Sequence, residues 1–279
     1  MFEIDTIESG YIMADGGAMF GAIPKRAWIR KYSCNEDNLC QLAMRCLLIT
    51  SDTRRILVDL GIGNKHTSKI AYYQPHNLID IGDFLFSKGY KHEDITDVII
   101  THLHFDHCGY STSSDELGHI RPSFPKANYW LSSSQWENMQ TPNNLEKDSI
   151  FVDNILPVYE AGQLRLINED IEIYPGLELQ LFNGHSQGQL VPIINTKEGI
   201  TAFPGDLIPT AAHISLEWIS AYDICSLSSY TEKLRFLNNA VENDYTLIYC
   251  HDSITISSKV KQLNDNFKAT DYKPTQSRK

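Results

Sequence analysis

Short apolar runs carry most of the hydrophobic positions: Met44–Ile49, Arg55–Val58, Ile95–Thr101, Asn128–Leu131, Leu177–Phe182, Val191–Ile194, Ile200–Phe203 and Thr246–Cys250. They are rich in β-branched and aromatic residues and bounded by turn formers, a pattern that predicts strands, several of them buried on both faces. Helical spacing appears between them. In Ser226–Asn243, Leu227, Tyr230, Leu234, Leu237 and Val241 recur every three or four residues and form one apolar stripe. Asp80–Lys88, stopped by Gly89, and Ser132–Met139 are shorter helix candidates. Strands interleaved with helices predict an α/β fold. Asp15–Trp28 and Lys65–Asn77 mix glycine or proline with aromatics without a period, and read as binding or surface loops.

No repeat, low-complexity tract or Pro/Gly/Ser-rich linker divides the 279 residues, so a single domain over 1–279 is expected. The Lys-rich segment Lys259–Lys279 reads as a helix end and a frayed terminus, flexible from about residue 266. With 24 basic and 35 acidic residues the formal charge is −11, which argues against nucleic acid as a partner. The first residues show no basic region followed by an apolar one, and no apolar run approaches the ~20 residues of a membrane span. A cytoplasmic protein with no membrane partner is the expectation. Cys34, Cys40 and Cys46 lack the short spacing of a zinc ribbon, so the six cysteines are expected to be reduced, packing thiols.

The chemistry concentrates in Thr101-His102-Leu103-His104-Phe105-Asp106-His107-Cys108-Gly109, at the end of a predicted strand. Imidazole and carboxylate are the ligands that Zn2+, Fe2+, Co2+ and Mn2+ accept. His102 and His104, two apart, can point to one side of an extended turn, while Asp106 and His107 follow the chain to another. So short a loop hardly serves one ion with all four, which favours two metals. His185, Asp206 and His251 also follow predicted strands, the positions where α/β folds tend to place ligands. Together they make seven candidate ligands.

His102-x-His104-x-Asp106-His107, followed in order by His185, Asp206 and His251, resembles the metallo-β-lactamase superfamily of binuclear metallohydrolases. The resemblance implies an αβ/βα four-layer sandwich with two mixed β-sheets. It also implies two divalent ions, Zn2+ first with Fe, Mn or Co as alternatives, and hydrolysis by a hydroxide bridging them. It assigns His102, His104 and His185 to one ion, Asp106, His107 and His251 to the other, and Asp206 to both. Asp59, in Val-Asp-Leu-Gly, matches the family's early aspartate, a turn-fixing residue rather than a ligand. The zinc β-lactamases carry cysteine at the position of Asp206, which disfavours antibiotic hydrolysis, and the flavo-diiron branch carries glutamate at that of His104.

The segments Phe203–His213 and Asp15–Lys25, with Trp218 and Ala221-Tyr222-Asp223, are similar to N-acyl-homoserine lactonases and methyl-parathion-type hydrolases. The activity expected from that similarity is opening of a small-molecule lactone or ester, with quorum quenching as its role. Organophosphate, aryl-ester or thioester hydrolysis and a non-enzymatic metal-binding sensor are the alternatives. Asp106 is the candidate proton carrier, Tyr222 and His213 are candidate substrate contacts, and a homodimer is the candidate oligomer. Met19, Phe20, Trp28, Tyr72 and Tyr73 are candidates for apolar pocket walls, with ordinary packing as the alternative.

Overall fold

The apolar runs resolve into two mixed sheets in a computed structural model that describes residues 1–115 and 117–275. In chain order the first strands are β1 (Glu3–Asp15), β2 (Leu39–Thr50), β3 (Arg55–Val58) and β4 (Asp97–Ile99). A small hairpin of β5 (Thr112–Ser114) and β6 (Ile120–Pro122) precedes β7 (Asn128–Ser132) and β8 (Leu164–Ile167). These give a six-stranded sheet of order β1-β2-β3-β4-β7-β8, parallel from β3 to β8. The later strands are β9 (Ile171–Tyr174), β10 (Leu177–Phe182), β11 (Gln189–Thr196), β12 (Gly199–Ala202), β13 (Thr246–Ile248), β14 (Thr255–Leu263) and β15 (Asn266–Pro274). They form a seven-stranded sheet of order β15-β14-β13-β12-β11-β10-β9, antiparallel except between β12 and β13.

The helices are α1 (Gly16–Phe20), α2 (Lys25–Trp28), α3 (Ile81–Ser87), α4 (Phe105–Cys108), α5 (Ser133–Gln140), α6 (Leu156–Glu160) and α7 (Ser226–Glu242). Side chains start two of the predicted ones. Asp80 accepts a hydrogen bond from the Gly82 amide at the head of α3, and Ser132 accepts one from the Gln135 amide at the head of α5. No helix among the described residues is long and apolar enough to cross a membrane.

The described chain divides into two compact units, Met1–Tyr11 with Met44–Asp170, and Ile12–Ala43 with the chain from Ile171 onward. The first has a core of Leu48, Leu57, Val98, Ile100, Leu103, Tyr129 and Leu131, joined by Leu85 of α3 and Met139 of α5. In the second, Phe236, Leu237 and Ala240 of α7 pack with Val191, Ala202, Leu247 and Phe267.

Several expectations are corrected. Asp15–Trp28 is no open loop: it forms α1 and α2, with the Asp15 carboxylate accepting from the Ala18 amide. Its apolar residues Met19, Phe20 and Trp28 are buried core, the ordinary packing weighed for them above. Asn266–Pro274, expected to be flexible, is strand β15, paired antiparallel with β14, so the segment from Lys259 is a hairpin and not a helix end. Residues 276–279 of the expected tail lie outside the described residues. The strand before the histidine cluster is also shorter than its apolar run, spanning Asp97–Ile99, although the Ile100 amide still donates to the Trp130 carbonyl of β7 at 3.0 Å.

Candidate metal centre

In the first unit the donors stand where β4 gives way to α4. Asp59 follows β3 with a backbone φ of +54°, a left-handed conformation unusual for aspartate. That turn aims its carboxylate at the motif. Oδ1 accepts from the Thr101 amide at 2.9 Å, and Oδ2 accepts from the Thr101 hydroxyl at 2.9 Å and from His107 Nδ1 at 2.8 Å. With Nδ1 donating, His107 presents Nε2 as its lone pair.

The same logic sets the other two rings. The Thr101 hydroxyl, having spent its proton on Asp59, accepts from His102 Nδ1 at 3.0 Å, which leaves a lone pair on His102 Nε2. His104 donates from Nε2 to Glu146 Oε1 at 3.0 Å, which leaves a lone pair on Nδ1. His102 Nε2 and His104 Nδ1 lie 3.1 Å apart, within hydrogen-bonding distance of each other. A bound cation would be shared by both nitrogens. Ligands bonded at 2.0–2.1 Å to one ion stand about 2.9–3.4 Å from each other at angles between 90° and tetrahedral. Asp106, in the first turn of α4, has Oδ2 3.8 Å from His107 Nε2.

In the second unit the donors come from three strand ends. His185 follows β10, Asp206 follows β12, and His251 follows β13. His185 Nδ1 donates to Asp223 Oδ1 at 2.9 Å and His251 Nδ1 to the Ala43 carbonyl at 2.7 Å, so both rings turn Nε2 inward. Asp206 receives one on each oxygen: His185 Nε2 is 3.2 Å from Oδ2 and His251 Nε2 is 3.0 Å from Oδ1. Gly205, at φ +52°, makes the turn that delivers this carboxylate. Burial works against charge on His251, but the Asp206 carboxylate facing it, with Cys250 beside it, holds its proton well above the usual histidine range. A cation would compete for that same lone pair. Helix α7 steadies the His185 loop, because Glu232 accepts from the Asn183 and Gly184 amides at 2.8 and 2.9 Å.

The donor chemistry of each unit therefore fits divalent metal ions. Four partners that complete this arrangement carry no local sequence signal: Glu146 from a loop, Asp223 and Glu232 remote from their targets, and a main-chain carbonyl at Ala43.

Of the three residues expected to be catalytic, His213 is corrected. It is buried with Nδ1 accepting from the Thr210 hydroxyl at 2.7 Å, Nε2 donating to the Met19 carbonyl at 2.9 Å, and its ring stacked on Phe20. Both nitrogens are committed, so none can meet a substrate. Burial, with Lys233 nearby, pushes it down to about 4 and keeps it neutral. Tyr222 is 39% exposed in the turn before α7, its amide donating to Ser220 Oγ at 3.1 Å. Tyr73 is half-buried against Phe105, and burial and the Asp106 charge raise its phenol. Tyr72 is exposed.

The fold of two mixed sheets and these His/Asp sets belong to one class of metallohydrolase, and the family comparison agrees. The metallo-beta-lactamase superfamily model matches residues 45–241, more than half of the chain, so the chain belongs to that superfamily. A structure described as a probable metal-dependent hydrolase from Staphylococcus aureus is similar with a TM-score of 0.89 at 28% identity, covering 99% of this chain and 98% of that one. A dizinc quorum-quenching lactonase, AidC, solved with a product homoserine, shares the fold with a TM-score of 0.75 at 18% identity, over 100% and 96% of the two chains. An N-acyl homoserine lactonase of Bacillus cereus is 26% identical over 172 residues, 58% of this chain. A transcription termination factor, FttA, of Methanocaldococcus jannaschii is 26% identical over 180 residues, 60% of this chain. The matches span 62% of the lactonase's length and 26% of the termination factor's. The chain is thus a metallo-hydrolase of this superfamily.

Proposed function

We propose that this metallo-hydrolase is binuclear and opens lactone rings, with N-acyl-homoserine lactones as substrates. In this reading His102, His104 and His185 would hold one divalent ion, Asp106, His107 and His251 a second, and Asp206 would serve both. The observation that carries it is the back-anchoring of the rings: Asp59, Glu146, Asp223 and the Ala43 carbonyl each hold one nitrogen and fix the direction in which the other points. Bound there, the ions supply Lewis acidity toward the scissile carbonyl and a water acidified to roughly pKa 7. The chain's own contribution is orientation and proton handling. Asp106 takes the proton at a carboxylate oxygen and passes it to the leaving alkoxide. Tyr222 donates from its hydroxyl to the carbonyl oxygen as charge develops there. The lactonases among the relatives and the similarity of Phe203–His213 and Asp15–Lys25 to them support the choice of lactone.

The test is ring opening of N-acyl-homoserine lactones by metal-reconstituted protein, beside a phosphotriester, a thioester and an aryl ester, with Asp206→Ala as the control. Fast lactone opening that Asp206→Ala abolishes is expected. Slow lactone turnover beside fast triester or ester cleavage keeps the hydrolase and discards the lactonase. No turnover by fully metallated protein favours a binding or sensing role instead.

A further inference from the structure

The sequence reading takes Cys250 as a packing thiol, yet it occupies the chemistry of the second unit. It follows β13 directly before His251 and is buried. Its Sγ donates to Asp206 Oδ1 at 3.1 Å, the same oxygen that lies 3.0 Å from His251 Nε2. Ligand atoms of Asp206, Cys250 and His251 all lie within 4.8 Å of one another. His185 faces the opposite oxygen, Oδ2, at 3.2 Å. The two oxygens of the Asp206 carboxylate thus have different neighbours: His185 at Oδ2, and His251 together with the Cys250 thiol at Oδ1.

We propose that Cys250 Sγ is a ligand to the divalent ion on the Oδ1 side of Asp206, so that this ion has nitrogen, oxygen and sulfur donors. This rests on the reading above that His251 and Asp206 hold an ion. The geometry accommodates it: with bonds of about 2.3 Å to sulfur and 2.1 Å to oxygen, donors at 90° on one ion stand about 3.1 Å apart. On coordination the thiol gives up its proton to solvent, and the Asp206 oxygen exchanges a hydrogen bond for a bond to the same ion. Thiolate ligation selects zinc, cobalt or cadmium over the harder manganese or magnesium ions, which prefer oxygen. Four of the other thiols are turned elsewhere: Cys108 to the Leu103 and His104 carbonyls, Cys46 to the Met44 carbonyl, Cys34 to Asn38 Oδ1, and Cys225 is exposed at the head of α7.

The experiment is a Co2+ titration of metal-free protein followed by absorption, in a Cys225→Ser background that removes the exposed thiol. Visible ligand-field bands report that the ion is bound, and a near-ultraviolet thiolate-to-cobalt charge-transfer band reports sulfur. Both bands are expected, with the charge-transfer band lost and the visible bands kept in Cys250→Ser. Cys250→Ala serves if the serine variant does not fold, and the zinc form's X-ray absorption gives a second reading of sulfur at about 2.3 Å. Visible bands without charge transfer, or charge transfer that survives in the Cys250 variants, overturn the sulfur ligand and leave the hydrolase reading standing. No visible bands at all count against that reading and the sulfur ligand together.

Discussion

At the scale of residues, the site depends on groups that stand behind the donors. Asp59 occupies a left-handed backbone conformation that costs a non-glycine residue roughly 1–3 kcal/mol, and its carboxylate is spent on Thr101 and His107. Glu146 is buried against His104 and is itself held by Asn138 Nδ2 at 3.0 Å. Removing such a partner typically weakens metal binding 10–100-fold. Glu146→Ala is accordingly expected to weaken metal binding by roughly that factor, and Glu146→Gln, which keeps an acceptor, by less. A chelator competition measures both, and an affinity unchanged in the alanine variant contradicts the role.

His213 makes a different prediction. Its folded value of about 4 lies below the usual 6.5, so between those pH values the unfolded chain binds the extra proton. Stability from this residue is complete above about pH 6.5 and declines as pH falls, by about 3 kcal/mol at pH 4. Denaturant unfolding across that range should show a shallower acid decline in His213→Gln than in the parent, and equal slopes would remove the residue from the acid response. The donors were legible in the sequence because each follows an apolar run. Glu146, Asp223 and the Ala43 carbonyl were not, because tertiary folding alone brings them to their histidines.

Among the elements, buried strands and the long amphipathic helix announce themselves, and polar edge strands do not. The helix read in Ser226–Asn243 is α7, but of the predicted stripe only Leu237 is fully buried, Leu227 and Tyr230 being exposed, and the buried stripe runs through Ser229, Lys233, Phe236, Leu237 and Ala240. Leu237→Ala should destabilise the protein by about 2–5 kcal/mol, measured by denaturant unfolding. A loss below about 1 kcal/mol would mean that the helix is not held by that stripe. The hairpin of β14 and β15 escaped prediction for a physical reason. β15 is the edge of its sheet, and the outer halves of both strands are exposed, with Lys261 paired against Lys268. Charged edges are how sheets avoid pairing with other chains, and they erase the apolar alternation that marks a strand. Asp15–Trp28 misled for the opposite reason. Its glycines let α1 and the close approach of Trp28 form without a helical period, the Gly16 Cβ position lying 2.4 Å from the Trp28 ring.

For the whole molecule, superfamily membership rests on residues 45–241 and on a donor order that continues to His251. Under the proposed function, seven side chains would hold two ions at which a lactone opens. The most direct measurement is the rate of N-acyl-homoserine lactone opening as metal is titrated into metal-free protein, with total metal per chain determined at each point. Activity should rise to a plateau at two ions per chain and be absent throughout in Asp206→Ala. A plateau at one ion per chain, or no lactone opening with two ions bound, would contradict it.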